Sequence, residues 1–165
     1  MATQNSTLTQ EQVKNLFNYK DGQLYWKNDV GAVKAGSKAG SINIHKYISV
    51  VCNKERHQVH RIIYLLHHGY IPEFVDHIDG NRSNNCIENL RPATKSQNAC
   101  NQKINTKNTS GYKNVYWHKS YKKWRVSLVV KSKKIHIGTF VDLELAGLVA
   151  SMAREKYHGK FARHG

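Results

Sequence analysis

Cysteine is scarce in this chain and odd in number. Cys52, Cys86 and Cys100 are the only three in 165 residues, and no two form a Cys-x-x-Cys pair. That disfavours both a disulfide framework and a cysteine zinc centre, and fits a reducing cytoplasm. Acidic residues are also few: 11 Asp plus Glu stand against 26 Lys plus Arg, a formal net charge of +15. An excess of this size points to a polyanion, with nucleic acid ahead of an anionic membrane because no amphipathic basic helix is visible. No apolar run approaches membrane-spanning length, and the polar start MATQNSTLTQ lacks the apolar centre of a signal peptide. Internal repeats and low-complexity segments are missing too. What is present, 39% hydrophobic residues with three Trp, excludes a wholly disordered chain. The length suits one ordinary domain or two small ones, neither able to bury a large core.

The charge is unevenly spread. Residues 1–100 hold 12 basic and 8 acidic side chains, whereas residues 101–165 hold 14 and 3, for nets of +4 and +11. Two modules with different tasks are expected. In the first, Thr9-Gln10-Glu11-Gln12 has capping-box spacing and predicts a helix from about Thr9 to Tyr19. Asp21-Gly22 turns the chain into a strand at Leu24-Tyr25-Trp26, and Gly31, Gly36 and Gly40 mark a loop whose Lys34 and Lys38 read as solvated. Strands follow between Ile42 and Val51, broken near His45-Lys46, with a tight turn at Asn53-Lys54. His60–His68 reads as a short buried helix ending at Gly69, its histidines as caps or surface groups, with contact to DNA by His60 or Arg61 the next reading.

The densest chemistry lies in Val75–Asn98, VDHIDGNRSNNCIENLRPATKSQN. The pattern predicts a strand over Val75–Ile78, a polar loop to Glu88, a returning strand over Asn89–Ala93, and a helix opened by the capping box Thr94-Lys95-Ser96-Gln97. Cutting a phosphodiester needs an activated water, neutralised charge and a stabilised leaving oxygen. His77 suits proton abstraction near neutrality, and Asn89 could fix its ring across the hairpin. Asp76 and Asn98 offer the oxygen ligands that Mg²⁺ or Mn²⁺ prefer. Successive strand residues face opposite ways, so Asp76 and His77 can share one phosphate only if the strand ends or bends there.

This stretch resembles the HNH endonuclease motif, in the form found in phage homing and nicking endonucleases. The resemblance implies that Asp76 and His77 supply a metal ligand and the general base. It assigns Asn89 to orienting the base and Asn98 to completing the metal site. The last position is Asn98 where the motif's name has His, which places the chain among HNN variants and favours Mg²⁺ over zinc. Asp79, Gly80, Asn81, Asn84 and Asn85 read as loop architecture. Arg82 reads equally as a phosphate contact or a solvated charge.

Residues Gln102–Ser110 are polar, basic and without hydrophobic period, a linker that either tracks phosphates or merely tethers. From Gly111, apolar residues alternate with basic ones through Val115–Trp117, Trp124–Leu128 and Ile135–Ile137, predicting three antiparallel strands with one apolar face. Trp117 and Trp124 share the apolar phase and read as core. Asp142 caps a final helix ended by Gly159. Leu145, Leu148, Val149, Met152 and Tyr157 give it a stripe, and Ala146, Ala150 and Ala153 permit close packing. Gly-Tyr-Lys-x-Val, Lys-Trp-Arg, Ile-Gly-Thr-Phe and the Ala-rich helix resemble the DNA-binding domain of plant ethylene-response factors. By position, that resemblance implies a DNA-facing set of Lys113, Tyr116, His118, Lys123, Arg125, Ser127, Lys134 and His136, with Arg125 reading bases and the lysines phosphates.

The expected fold is α+β. An HNH ββα-metal nuclease domain spans residues 1–101, with its core at about 74–101. A linker over 102–110 leads to a three-stranded sheet packed on one helix over 111–165. The expected partner is double-stranded DNA, met as a monomer in a bacterial cytoplasm. The rival readings are a DNA-binding regulator with an inactive HNH fold and an RNA-directed protein.

Overall fold

The computed structural model describes residues 8 to 164, so MATQNST, the first seven residues of the polar start, lies outside the described residues. The chain forms two compact units that meet between Pro92 and Ala93. That division falls upstream of the expected linker and assigns the helix bearing Asn98 to the second unit.

In the first unit, helix α1 (Gln10–Leu16) is opened by the full Thr9/Gln12 capping box. It is shorter than the expected helix, because Phe17 leaves helical geometry and starts strand β1 (Phe17–Lys20). Phe17 is fully buried and lies 4.7 Å from the Trp26 ring, so tertiary packing overrides helix continuation there. Strand β1 pairs antiparallel with β2 (Gln23–Trp26), which pairs with β3 (Lys38–Ala39). A second sheet joins β4 (Ser41–Ile42), β5 (Ile48–Cys52) and β6 (Glu55–Gln58). The two-residue turns Asp21-Gly22 and Asn53-Lys54 have positive φ at both positions. That geometry matches the right-handed twist of the flanking strands.

Helix α2 (Val59–His68) crosses behind these strands and ends at Gly69, whose left-handed φ of 76° lets its N–H reach Leu65. Val59, Ile62, Ile63 and Leu65 join Val13, Phe17, Leu24 and Val75 in one core. Strand β7 (Phe74–His77) pairs with β8 (Leu90–Ala93), and a 3₁₀ turn at Ile87–Asn89 precedes the return.

In the second unit, α3 (Lys95–Cys100) carries the expected Thr94/Gln97 capping box. Strands β9 (Val115–His118), β10 (Lys123–Val130) and β11 (Lys133–Phe140) form one antiparallel sheet with β10 central. The β10–β11 turn, Lys131-Ser132, again has positive φ twice. Helix α4 (Leu143–His158), capped by Asp142, packs on this sheet.

On α4 the three alanines expected to pack closely are buried, but the expected apolar stripe is not the buried face. Ala146, Gly147, Ala150, Ala153 and Arg154 face inward, while Leu145, Leu148 and Met152 are exposed, Met152 by 60%. Small side chains let the helix axis approach the sheet, and a Cβ on Gly147 would come within 2.4 Å of the Tyr112 ring. Close approach leaves no room for leucines at that interface. Trp124 packs against this core as expected, but Trp117 is 43% exposed on the edge strand β9. No helix among the described residues is long and apolar enough to cross a membrane.

Candidate active site and nucleic-acid face

His77 is the last residue of β7, and both it and Asp76 are 5% exposed. The strand therefore ends where the sequence required it to. Beyond it, Asp79-Gly80 turns the chain, with the Gly80 N–H donating to the His77 carbonyl at 2.8 Å. The loop is then tied to itself by short polar side chains. Asp79 accepts from the Asn81 N–H at 2.7 Å, the Asn84 amide at 2.8 Å and the Asn89 amide at 2.9 Å. Burial would raise the Asp79 carboxyl, but these bonds outweigh it and hold the group below the usual carboxylate range.

Asn89 is the knot of that loop. Its amide also donates to the Asn84 carbonyl at 2.8 Å, and its oxygen accepts from the Asp79 N–H at 3.0 Å. This corrects the expectation that Asn89 orients His77 directly, since both its donors and its acceptor are engaged in the loop. The oxygen on the imidazole is that of Asn85, 2.9 Å from Nε2. An amide oxygen only accepts, so Nε2 carries the proton and Nδ1 the lone pair. Asn85 is 1% exposed, and the turn at Gly22 holds it: a Cβ there would meet the Cys86 nitrogen at 2.7 Å. The Tyr19 hydroxyl adds a second brace by accepting from the Ile87 N–H at 3.1 Å.

On its other side His77 meets a ring cluster. His60 on α2 stands edge-on at 4.9 Å, with Tyr47 5.4 Å from His60 and 6.1 Å from His77. The guanidinium of Arg82 lies 4.8 Å from the Tyr47 ring centre and donates to the His45 carbonyl. His60 is 4% exposed, with Nδ1 lacking a partner. That corrects its reading as a cap or surface group. Burial, then the neighbouring His77 and Arg61, lower its pKa to about 3. Burial also lowers His77, only partly opposed by the Asn85 bond and the charges of Asp79 and Asp76. A neutral imidazole can accept a proton.

Asp76 has a partner that the motif reading omitted. Arg91 on β8 places Nε and Nη2 at 2.8 and 2.7 Å from the same Asp76 oxygen, Oδ2. Asn98 lies half-buried on α3, in the second unit. A carboxylate such as that of Asp76 and an amide oxygen such as that of Asn98 are each donor types that hard divalent cations accept. Among the described residues no group of three His, Cys, Asp or Glu could hold a metal ion.

In the second unit, register sorts the candidate DNA-facing residues. Arg125 sits between Tyr116 on β9 and Thr139 on β11, Lys123 opposite His118, and Ser127 opposite His136. These share the sheet face away from α4. Arg125 Nε donates to His136 Nδ1 at 3.2 Å, the Tyr116 hydroxyl lies 3.0 Å from that of Ser127, and the Lys134 ammonium stands 5.1 Å from the Tyr116 ring centre. Two residues of the expected set depart from the exposed face. Ser127 is 6% exposed and reaches the surface only through Tyr116. Lys113 precedes β9 and donates to the carbonyls of Cys100 and Gln102. Burial, then Arg154, lowers the Lys113 ammonium to about 8.

Sequence reasoning missed Asn85, His60, Tyr47 and Arg91. Asn85 lay inside a run of asparagines that all read alike, and only the fold brings residues 47, 60 and 91 to residues 76 and 77.

Residues 57–100 match the HNH endonuclease family. Protein 3.8 of Escherichia phage T7 is 37% identical over 97 residues, covering 58% of this chain and 79% of that protein. An uncharacterized HNH endonuclease, L560, of Acanthamoeba polyphaga mimivirus is 35% identical over 108 residues, covering 64% of this chain and 55% of its own length. No solved structure matches. The segment from His57 to Cys100, which holds the buried Asp76-His77 pair, the Asn89-knotted loop and Asn98, is the part of the chain that matches the HNH endonuclease domain.

Proposed function

We propose that this protein is a metal-dependent endonuclease of double-stranded DNA, of the phage homing or nicking kind, acting as a monomer in a bacterial host's cytoplasm. The observation that supports it best is the His77 ring, buried at a strand end and fixed through Nε2 by Asn85. His77 Nδ1 takes a proton from the attacking water. The water oxygen bonds to phosphorus, the bond to the 3′ oxygen breaks, and that oxygen leaves. Asp76 and Asn98 would hold Mg²⁺ or Mn²⁺, which when bound neutralises phosphate charge and stabilises the leaving oxygen. Arg82, beside the ring cluster, adds a phosphate contact. On the second unit, Tyr116, His118, Lys123, Arg125, Lys134 and His136 form the double-stranded DNA face, with Arg125 reading base edges and the lysines phosphates. One His77 per chain means that a monomer nicks.

The test is cleavage of supercoiled plasmid and phage genomic DNA with Mg²⁺ or with EDTA, comparing wild type with His77→Ala. Wild type with Mg²⁺ is expected to give open circles or discrete fragments. His77→Ala should be slower by about 10²–10⁴-fold while binding DNA equally. Equal cleavage by the variant sinks the mechanism. Tight binding without scission on any substrate would leave a DNA-binding regulator.

A further inference from the structure

Arg91 on β8 takes no part in the proposed chemistry, yet it is bound to the carboxylate that chemistry needs. Its guanidinium contacts Asp76 Oδ2 twice, and the two side chains are 11% and 6% exposed. A carboxylate withdrawn this far from water needs a counter-charge, and here the protein supplies it internally. A divalent cation coming to Asp76 therefore meets a ligand already balanced by a fixed positive charge, in surroundings where salt screens little. The other proposed ligand, Asn98, is neutral and cannot restore the balance.

We propose that Arg91 is a positioning residue acting as a built-in counter-ion: it holds Asp76 in place in the free protein, weakens metal binding there, and so makes metal loading depend on the negative charge that a DNA phosphate brings. This rests on Asp76 being a metal ligand. The free enzyme is then metal-poor, and its hydrolytic site assembles only on substrate. The guanidinium does not leave the hairpin in this scheme. It becomes one of two cations sharing a carboxylate and a phosphate, an arrangement that two opposing negative groups tolerate and one does not.

The experiment is Mn²⁺ binding to the full chain without DNA at pH 8, followed by the electron paramagnetic resonance of free Mn²⁺. The proteins compared are wild type, Arg91→Met, Arg91→Gln, Arg91→Lys and Asp76→Asn, each checked for folding by circular dichroism. The neutral Arg91 variants are expected to bind Mn²⁺ about ten-fold tighter than wild type or more, because a unit positive charge next to the ligand has gone. Arg91→Lys keeps the charge and should stay within about three-fold of wild type. Arg91→Gln still donates a hydrogen bond to Asp76, so it serves if Arg91→Met fails to fold. A merely structural arginine would give equal or weaker binding in all three, and that result overturns the inference. The Asp76→Asn arm separates the two ideas. If that variant binds Mn²⁺ as wild type does, the metal assignment itself fails. If it loses binding while the neutral Arg91 variants bind no tighter, only the role of Arg91 fails.

Discussion

Asp76, His77 and Asn85 lie inside the first unit, each 5% exposed or less, whereas Lys123, Lys134 and His136 stand in solvent on the second unit's sheet. Both groups are polar, and both are the residues on which the proposed function rests. The first is a closed network in which each group's charge, tautomer and position depends on a named neighbour: Asp76 on Arg91, His77 on Asn85, Asp79 on Asn84 and Asn89. The second is a solvent-exposed array, so removing one member leaves most of the others in place, and losses at members that do not touch should be close to additive. Burial thus separates a site that fails at one atom from a face that fades by degrees.

The sharpest way to break that contrast is to remove one partner of the buried pair. Asp76→Ala leaves the Arg91 charge inside without its counter-charge and should cost about 3–5 kcal/mol in urea unfolding. A loss within error of zero would mean that Arg91 escapes to water and that the network is not closed.

Acid tests the same network through His60, which faces His77, Tyr47 and Arg61. Its folded pKa of about 3 lies below the unfolded value near 6.5. Above pH 6.5 both states leave the ring neutral and nothing is lost. As the pH falls from about 6.5 towards 3 the unfolded chain gains a proton that the folded one refuses, so stability declines across that window. By pH 4.5 this ring alone should remove about 3 kcal/mol. His60→Phe, which cannot titrate, should show a correspondingly shallower decline in the same unfolding series.

On the exposed face, Arg125→Ala should weaken binding to a cognate duplex by about 1–3 kcal/mol. Lys123→Ala or Lys134→Ala should cost less and lower the salt slope of binding by about one each, with cleavage at saturating protein unchanged. Fluorescence anisotropy across a salt series measures both. A failure of additivity between Arg125→Ala and Lys134→Ala would erase the distinction between face and network.

The smallest effect is expected on α4. Leu148→Gln and Met152→Gln lie on its exposed side and should stay within about 0.5 kcal/mol of wild type. Ala150→Leu, on the buried side, should cost about 1–3 kcal/mol by overpacking. Thermal melts that reverse this order would restore the leucine stripe expected from the sequence.

Local signals were legible before the fold. Both capping boxes, at Thr9 and Thr94, form as written, and Asp142 caps α4. The hairpin turns at Asp21-Gly22 and Asn53-Lys54 fall where expected, and the alternation from Val115 onward gives three strands. Errors arose where distant packing competes with a local rule. Phe17 leaves its helix for the Trp26 ring, and on α4 the expected alanine packing forms while the leucine stripe stays exposed, because a close helix approach demands small residues. Asn89 was placed by its position in the motif, yet hydrogen-bond capacity decides its role. Its three side-chain bonds go to Asp79 and Asn84, and Asn85 holds His77.

By itself, the sequence determined the basic balance, the helix caps and hairpin turns, and the short stretch in which the chemistry is concentrated. All of these depend on residues within a few positions of one another. Only the tertiary structure decided that Arg91 neutralises Asp76, that Asn85 sets the His77 tautomer and that His60 is driven neutral beside it. Those facts depend on burial and on separations of a few ångströms between residues as far apart in the chain as 60 and 77, and no local spacing encodes them.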